Sequence, residues 1–289
     1  MLKKCLKYDF RSVMRLWWII AVSMVGASIL SGLGIRFFTQ CMMQDDLSVG
    51  LSLLSIFTFF ISVLLILALA AGTTVSFILV FWRMYTHFYS DEGYLTFTLP
   101  VKRSTLYLSK VIMGTILQAA TVVILILGVA FIMLVAVPTT DGSLLDTSIY
   151  QEMADAFGLP ALVESAGWWL ALWVPLALVI ALLMGLWGNG LIYLCITIGA
   201  VIAKKLKLLA AIGIYYLVSS IVSVVGQIGT MFLSAGISGI FTAAAESGGS
   251  VLNLTITTVM LIVALLLACM VTIVHFITVN KIETKLNLA

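Results

Sequence analysis

Six apolar runs, each long enough to cross a lipid bilayer, leave this 289-residue chain few alternatives. They cover roughly residues 16 to 35, 51 to 82, 111 to 137, 168 to 203, 208 to 235 and 251 to 279. A spanning helix takes about 20 mainly apolar residues, because inside hydrocarbon only the helix's own hydrogen-bond ladder satisfies the backbone. The composition agrees: 63% of residues are hydrophobic and 9% charged, against roughly 45–50% and 25% in soluble domains. The expectation is an all-α polytopic membrane protein with six transmembrane helices, folded as one domain over residues 1–289. The first run is already of spanning length and is followed by five more, so no cleaved secretory signal is expected. Runs two and four exceed 30 residues and must tilt, break or project beyond a hydrocarbon core of about 30 Å. In run four, Pro175 and "GLWGNG" (Gly185 to Gly190) offer places for a break.

Orientation follows from the basic residues, which accumulate on the cytoplasmic side. With the N-terminus inside, fourteen of the fifteen Lys and Arg fall in inner segments and only Arg36 falls outside, while eight of the twelve acids lie in outer loops. Both termini are therefore expected in the cytoplasm, in a plasma membrane. Trp17, Trp18, Trp82, Trp168 and Trp169 stand at the ends of the runs, where amphipathic rings prefer the interface. Residues 1–15 place Leu2, Leu6, Phe10 and Val13 at helical spacing among Lys3, Lys4, Lys7 and Arg11. This reads as an amphipathic interfacial helix on the inner lipid surface; the alternative is a basic tail that serves only to orient the chain. Residues 138–167 form the expected extracellular loop, which is acidic, with a short helix in "YQEMADAFGLPALVE" ended by Gly158 and Pro160.

Much chemistry is missing. Cys5, Cys41, Cys195 and Cys269 are scattered without a CxxC pair, which suggests neither a zinc site nor a disulfide framework. The sequence has no HExxH, no GxSxG and no GxxxxGK[ST] phosphate loop, so no catalytic or metal-ligating residue is assigned and no cofactor is expected on this chain. A nucleic-acid partner is not expected. No ionisable residue falls near the middle of a run, which weighs against a proton-coupled carrier. The polar residues inside the runs include Thr73, Thr74, Gln118, Asn189 and Gln227, with His275 near the inner end of the sixth. Gln118, Asn189 and Gln227 are candidates for a translocation path or for hydrogen bonds between helices. Gly226, Gly229, Gly236 and Gly239 suggest a packing face, and "NLT" at Asn253 matches a glycosylation sequon that short chance triplets also produce.

The longest inner connection, residues 83–110, holds "SDEGYLTFTLPVKRS" (Ser90 to Ser104). Ser90 is placed to cap a short helix, with Asp91 and Glu92 in its first turn against the positive end of the dipole. Pro100 ends that helix, because a proline pushes the preceding residue out of helical geometry. Tyr94, Leu95, Phe97 and Leu99 form its apolar body and Lys102 and Arg103 its basic exit. A connection as short as "KKLK" (Lys204 to Lys207) suffices elsewhere, so topology alone does not call for 28 residues, and a surface that docks a partner does.

The order Glu92, Gly93, Leu95, Leu99, Pro100, Val101, Arg103, Lys110 resembles the ABC-2 type transporter permeases of bacteria, departing from their usual pattern at Tyr94, Lys102 and Ser109. The resemblance extends in outline to six spans, cytoplasmic termini and an amphipathic lead-in. It implies that residues 83–110 carry a coupling helix docking on a separate ATPase subunit, with Asp91, Glu92 and Gly93 positioning it, Tyr94, Leu95 and Phe97 making the buried contact, and Leu99 and Pro100 closing it. It further implies two copies of an ABC ATPase subunit that bind ATP and magnesium, a second permease subunit of the same or a similar chain, and surrounding membrane lipid. The implied activity is export of an amphipathic or hydrophobic cargo such as a peptide antibiotic, drug or lipid. Two other classes stay open: a non-transporting membrane scaffold or sensor that uses the same loop, and an ion-coupled secondary carrier.

Overall fold

A computed structural model describes residues 2–44, 48–89, 93, 101–136, 151, 154–155, 158–203, 206–246 and 249–285. Its elements are α1 (Leu2–Met42), α2 (Val49–Tyr89), α3 (Arg103–Ala136), α4 (Leu159–Ala166), a 3-10 turn (Gly167–Trp169), α5 (Leu170–Ile202), α6 (Lys207–Glu246) and α7 (Gly249–Lys285). No strand occurs among the described residues. Among the described residues six helical segments are long and apolar enough to cross a membrane: Leu2–Met42, Val49–Tyr89, Arg103–Ala136, Val163–Ile202, Leu208–Ile228 and Ser250–Thr284. Their outward faces carry dozens of exposed large apolar side chains, among them Trp18, Phe57, Leu127, Leu178, Tyr216 and Phe276, a surface that water would not tolerate and lipid does.

The helices overrun the apolar runs. At 1.5 Å per residue the 41 residues of α1 extend about 60 Å, twice the hydrocarbon thickness. Residues 2–15 are the first turns of α1 itself, since no Gly or Pro interrupts "RSVMRLWW". The fourth run does not break where breaks are offered. Pro175 is the sixth residue of α5, and the helix runs through it although the ladder bond to the Ala171 carbonyl is forfeited. The glycines of "GLWGNG" stay helical, and two of them are seated against neighbours: a Cβ on Gly185 would lie 3.2 Å from Thr115 and one on Gly190 3.3 Å from Val274. Residues 151 and 154–155 are helical and Gly158 turns the chain after them, but Pro160 belongs to the next helix. It is the second residue of α4, where its fixed φ suits the first turn. Gly158, at φ 64°, supplies the left-handed turn before it, its N–H bonded to the Asp155 carbonyl at 2.9 Å.

The chain forms two units. One comprises Tyr8–Val80 and Ile116–Ala161. Its core is Met24, Ala27, Leu69 and Ile132, with Ile20, Ile35, Leu65, Ile124 and Leu125 against it. Because lipid gives helices no hydrophobic reason to associate, close van der Waals contact and buried hydrogen bonds must do so. Gly72 meets the Met24 side chain and Gly128 meets Ser28, where an added Cβ would stand 2.7 and 3.1 Å from the nearest atoms. Thr121 on α3 is saturated: its oxygen accepts from Trp17 Nε1–H at 2.9 Å and pairs with Ser76 Oγ at 2.9 Å, while its own proton goes to the Leu117 carbonyl.

The other unit comprises Met1–Lys7, Phe81–Thr115 and Leu162–Ala289. Here α5 is the central helix, packed along both α6 and α7. The turn from α5 to α6 closes on Gly199, whose Cα faces Ala211 so tightly that a Cβ would fall 2.6 to 2.9 Å from Ala211 N, Cα and Cβ.

Candidate functional site

In this second unit, the end of α2 and the start of α3 flank residues 90–102 and are fastened to α5 and α7. Tyr89, the last residue of α2, shares a 2.6 Å hydroxyl bond with Thr197 of α5. Two residues earlier, His87 Nδ1 lies 3.1 Å from Lys110 Nζ of α3. Arg103, the first residue of α3, donates from Nη1 to the Ile282 carbonyl of α7 at 3.1 Å. Asn189 of α5 donates from Nδ2 to Thr115 Oγ1 at 2.9 Å. The Thr115 hydroxyl donates in turn to the Val111 carbonyl, which fixes the sense of the Asn189 amide.

Aromatic rings fill the space between these bonds. Tyr193 of α5 takes Phe81 and Tyr107 edge-on at centroid distances of 5.8 and 6.3 Å. Tyr107 also lies 5.2 Å from the His275 ring of α7. Both tyrosines and Phe88 are buried. Such edge-on pairs add about 0.5–1.5 kcal/mol each beyond their buried area. The arrangement joins the end of α2 and the start of α3 to α5 and α7 through side chains that reach across.

Of the residues assigned to docking, Asp91, Glu92, Tyr94, Leu95, Phe97, Leu99 and Pro100 lie outside the described residues. Gly93 is described: it is helical and buried, and a Cβ there would stand 2.7 Å from the Phe88 carbonyl oxygen. Glycine thus leaves room at this position for the Phe88 carbonyl. The three candidate amides differ. Asn189 is 1% exposed, and its Oδ1 finds no hydrogen-bond partner among the described residues; Gln118 is 6% exposed, and the same holds for its Nε2. Gln227 is exposed on α6, its Nε2 3.4 Å from Ser223 Oγ. Gln118 belongs to the other unit, and Asn189 and Gln227 are not gathered into one site. Asn253, the sequon residue, is buried with Nδ2 on the Ser165 carbonyl at 3.2 Å. All four cysteines are free thiols.

Sequence reasoning missed the Tyr89–Thr197, His87–Lys110 and Arg103–Ile282 bonds. Spacing held part of the signal: Arg103, Tyr107 and Lys110 share one helical face, as do His275, Thr278 and Ile282. Which face meets which is a tertiary fact.

The fold and this cluster define an all-helical protein with six helices of membrane-crossing length, compatible with a multi-pass membrane protein. No protein-family model matches the chain, and neither a curated protein nor a solved structure is significantly similar to it.

Proposed function

We propose that the chain is the transmembrane permease subunit of an ATP-driven exporter of the ABC-2 type, with both termini cytoplasmic, the basic start of α1 against the inner lipid surface, and residues 91–100 of the 83–110 loop docking a separate ATPase. The observation that carries this reading is Gly93. The glycine of the Glu-Gly pair in the resemblance falls where a side chain would strike the Phe88 carbonyl. The ends of α2 and α3 on either side are fastened to α5 and α7, so a push on residues 90–102 has helices to act on. In this scheme ATP closes two ATPase subunits, and two permease chains, identical or similar, shift between inward and outward states. Nucleotide drives that shift only to the extent that it binds the closed state better than the open one. The cargo is an amphipathic or hydrophobic molecule, suited to spans without mid-depth charge.

The test is gentle extraction of the tagged chain from its native bacterial membrane and identification of its stable partners. An ATPase with a phosphate loop, equal in number to the permease chains, is expected. A different soluble partner bound through the same loop would replace the exporter with a membrane scaffold or sensor. Gradient-driven transport by the purified chain alone would make it a secondary carrier.

A further inference from the structure

We propose that Arg103 is the positioning residue through which the first turn of α3 controls the last turn of α7, so that movement delivered to residues 90–102 reaches a helix 179 positions away in sequence. This role rests on the exporter reading above.

The last turn of a helix carries the negative end of its dipole. Ile282 lies in the last described turn of α7. Arg103 supplies a cationic donor to its carbonyl, and Ile282 itself is wholly buried. One turn further along α3, Tyr107 meets His275. Because 103 pairs with 282 and 107 with 275, the two helices run in opposite directions and touch at two levels. Between them α5 presents Gly190: a Cβ there would come within 3.3 Å of Val274 and 3.9 Å of the Tyr107 hydroxyl. The absent side chain is what allows three helices to close on this point. A guanidinium is suited to the task, since its rigid fork holds direction where a lysine ammonium would swivel. Lys102, next in sequence, is exposed and carries the same charge, so charge and contact are separable by mutation.

The experiment is amide hydrogen exchange of residues 276–285 in the full chain with its co-purified ATPase in lipid nanodiscs, with and without a non-hydrolysable ATP analogue and magnesium. Wild type is expected to change exchange there on adding nucleotide. In Arg103→Gln the ATPase should stay bound, exchange in this segment should rise roughly 2- to 30-fold, the range for losing a cation at a helix C-terminus, and the response to nucleotide should vanish. Arg103→Lys should fall between, and serves if Arg103→Gln does not fold. Lys102→Gln should match wild type. A nucleotide response that persists in Arg103→Gln, is absent from wild type, or is lost equally in Lys102→Gln overturns the assignment. An ATPase that binds without any response at α7 sinks this role alone, whereas no ATPase at all sinks the exporter reading with it.

Discussion

Replacing Gly93 by alanine adds one carbon where the structure has no room. That carbon would stand 2.7 Å from the Phe88 carbonyl oxygen and 3.0 Å from its carbon, against about 3.3–3.6 Å for an ordinary carbon–oxygen approach. Both neighbours are backbone, so no side-chain rotation relieves the contact and the chain itself must move by about half an ångström. Overpacking of this kind costs roughly 1–3 kcal/mol, and alanine regains roughly 0.5–1 kcal/mol as the better helix former. The balance is a penalty near 1 kcal/mol, confined to the docking segment, which must be restored to shape when the ATPase binds. A fivefold weaker Kd is the approximate consequence, and Gly93→Val should exceed tenfold. Titration of labelled ATPase subunit against the nanodisc-embedded chain measures this directly. Gly226→Ala is the control, because nothing lies within 4 Å of the position and alanine there should leave Kd unchanged. Wild-type affinity in both Gly93 variants, or an equal loss in Gly226→Ala, would refute the steric reasoning.

Gly199→Val should loosen the α5–α6 turn by about 1–3 kcal/mol through collision with the Ala211 backbone, lowering the thermal midpoint in detergent by about 2–4 °C per kcal/mol; an unchanged midpoint would show that this approach is not tight. Asn189→Leu removes the bond to Thr115, worth about 0.6–1.7 kcal/mol between membrane helices, but also an Oδ1 without a partner among the described residues, whose burial costs about 1–3 kcal/mol. The midpoint is expected to hold or rise, and a clear fall would mean that Oδ1 is satisfied. Asn253 is buried and bonded to Ser165, so expression in a glycosylating host should yield no species whose mobility shifts on endoglycosidase treatment.

The length and apolarity of the helices were legible because hydrocarbon imposes a local rule: each segment must satisfy its own backbone, whatever surrounds it. Gly93 was legible as a letter, though not the reason for it, which is the Phe88 carbonyl. Local rules also misled. Pro175 and the glycines of "GLWGNG" offered places for a break, yet α5 is continuous: it runs through Pro175 at the loss of one ladder bond, and Thr115 and Val274 pack against Gly185 and Gly190. Asn189 and Gln227 looked alike as polar residues in apolar runs, but one is buried beside Thr115 and the other is exposed on α6. Burial depends on which helix lies opposite, and no spacing within one helix contains that information.

The amino-acid sequence by itself determined that six helices of membrane-crossing length would form. Tertiary structure alone decided that Tyr89 reaches Thr197, that His87 reaches Lys110 and that Arg103 reaches the Ile282 carbonyl of α7. Helix formation in lipid is fixed by hydrogen bonds four residues apart, whereas these contacts join residues from 23 to 179 apart, and only the packing of whole helices brings them within reach.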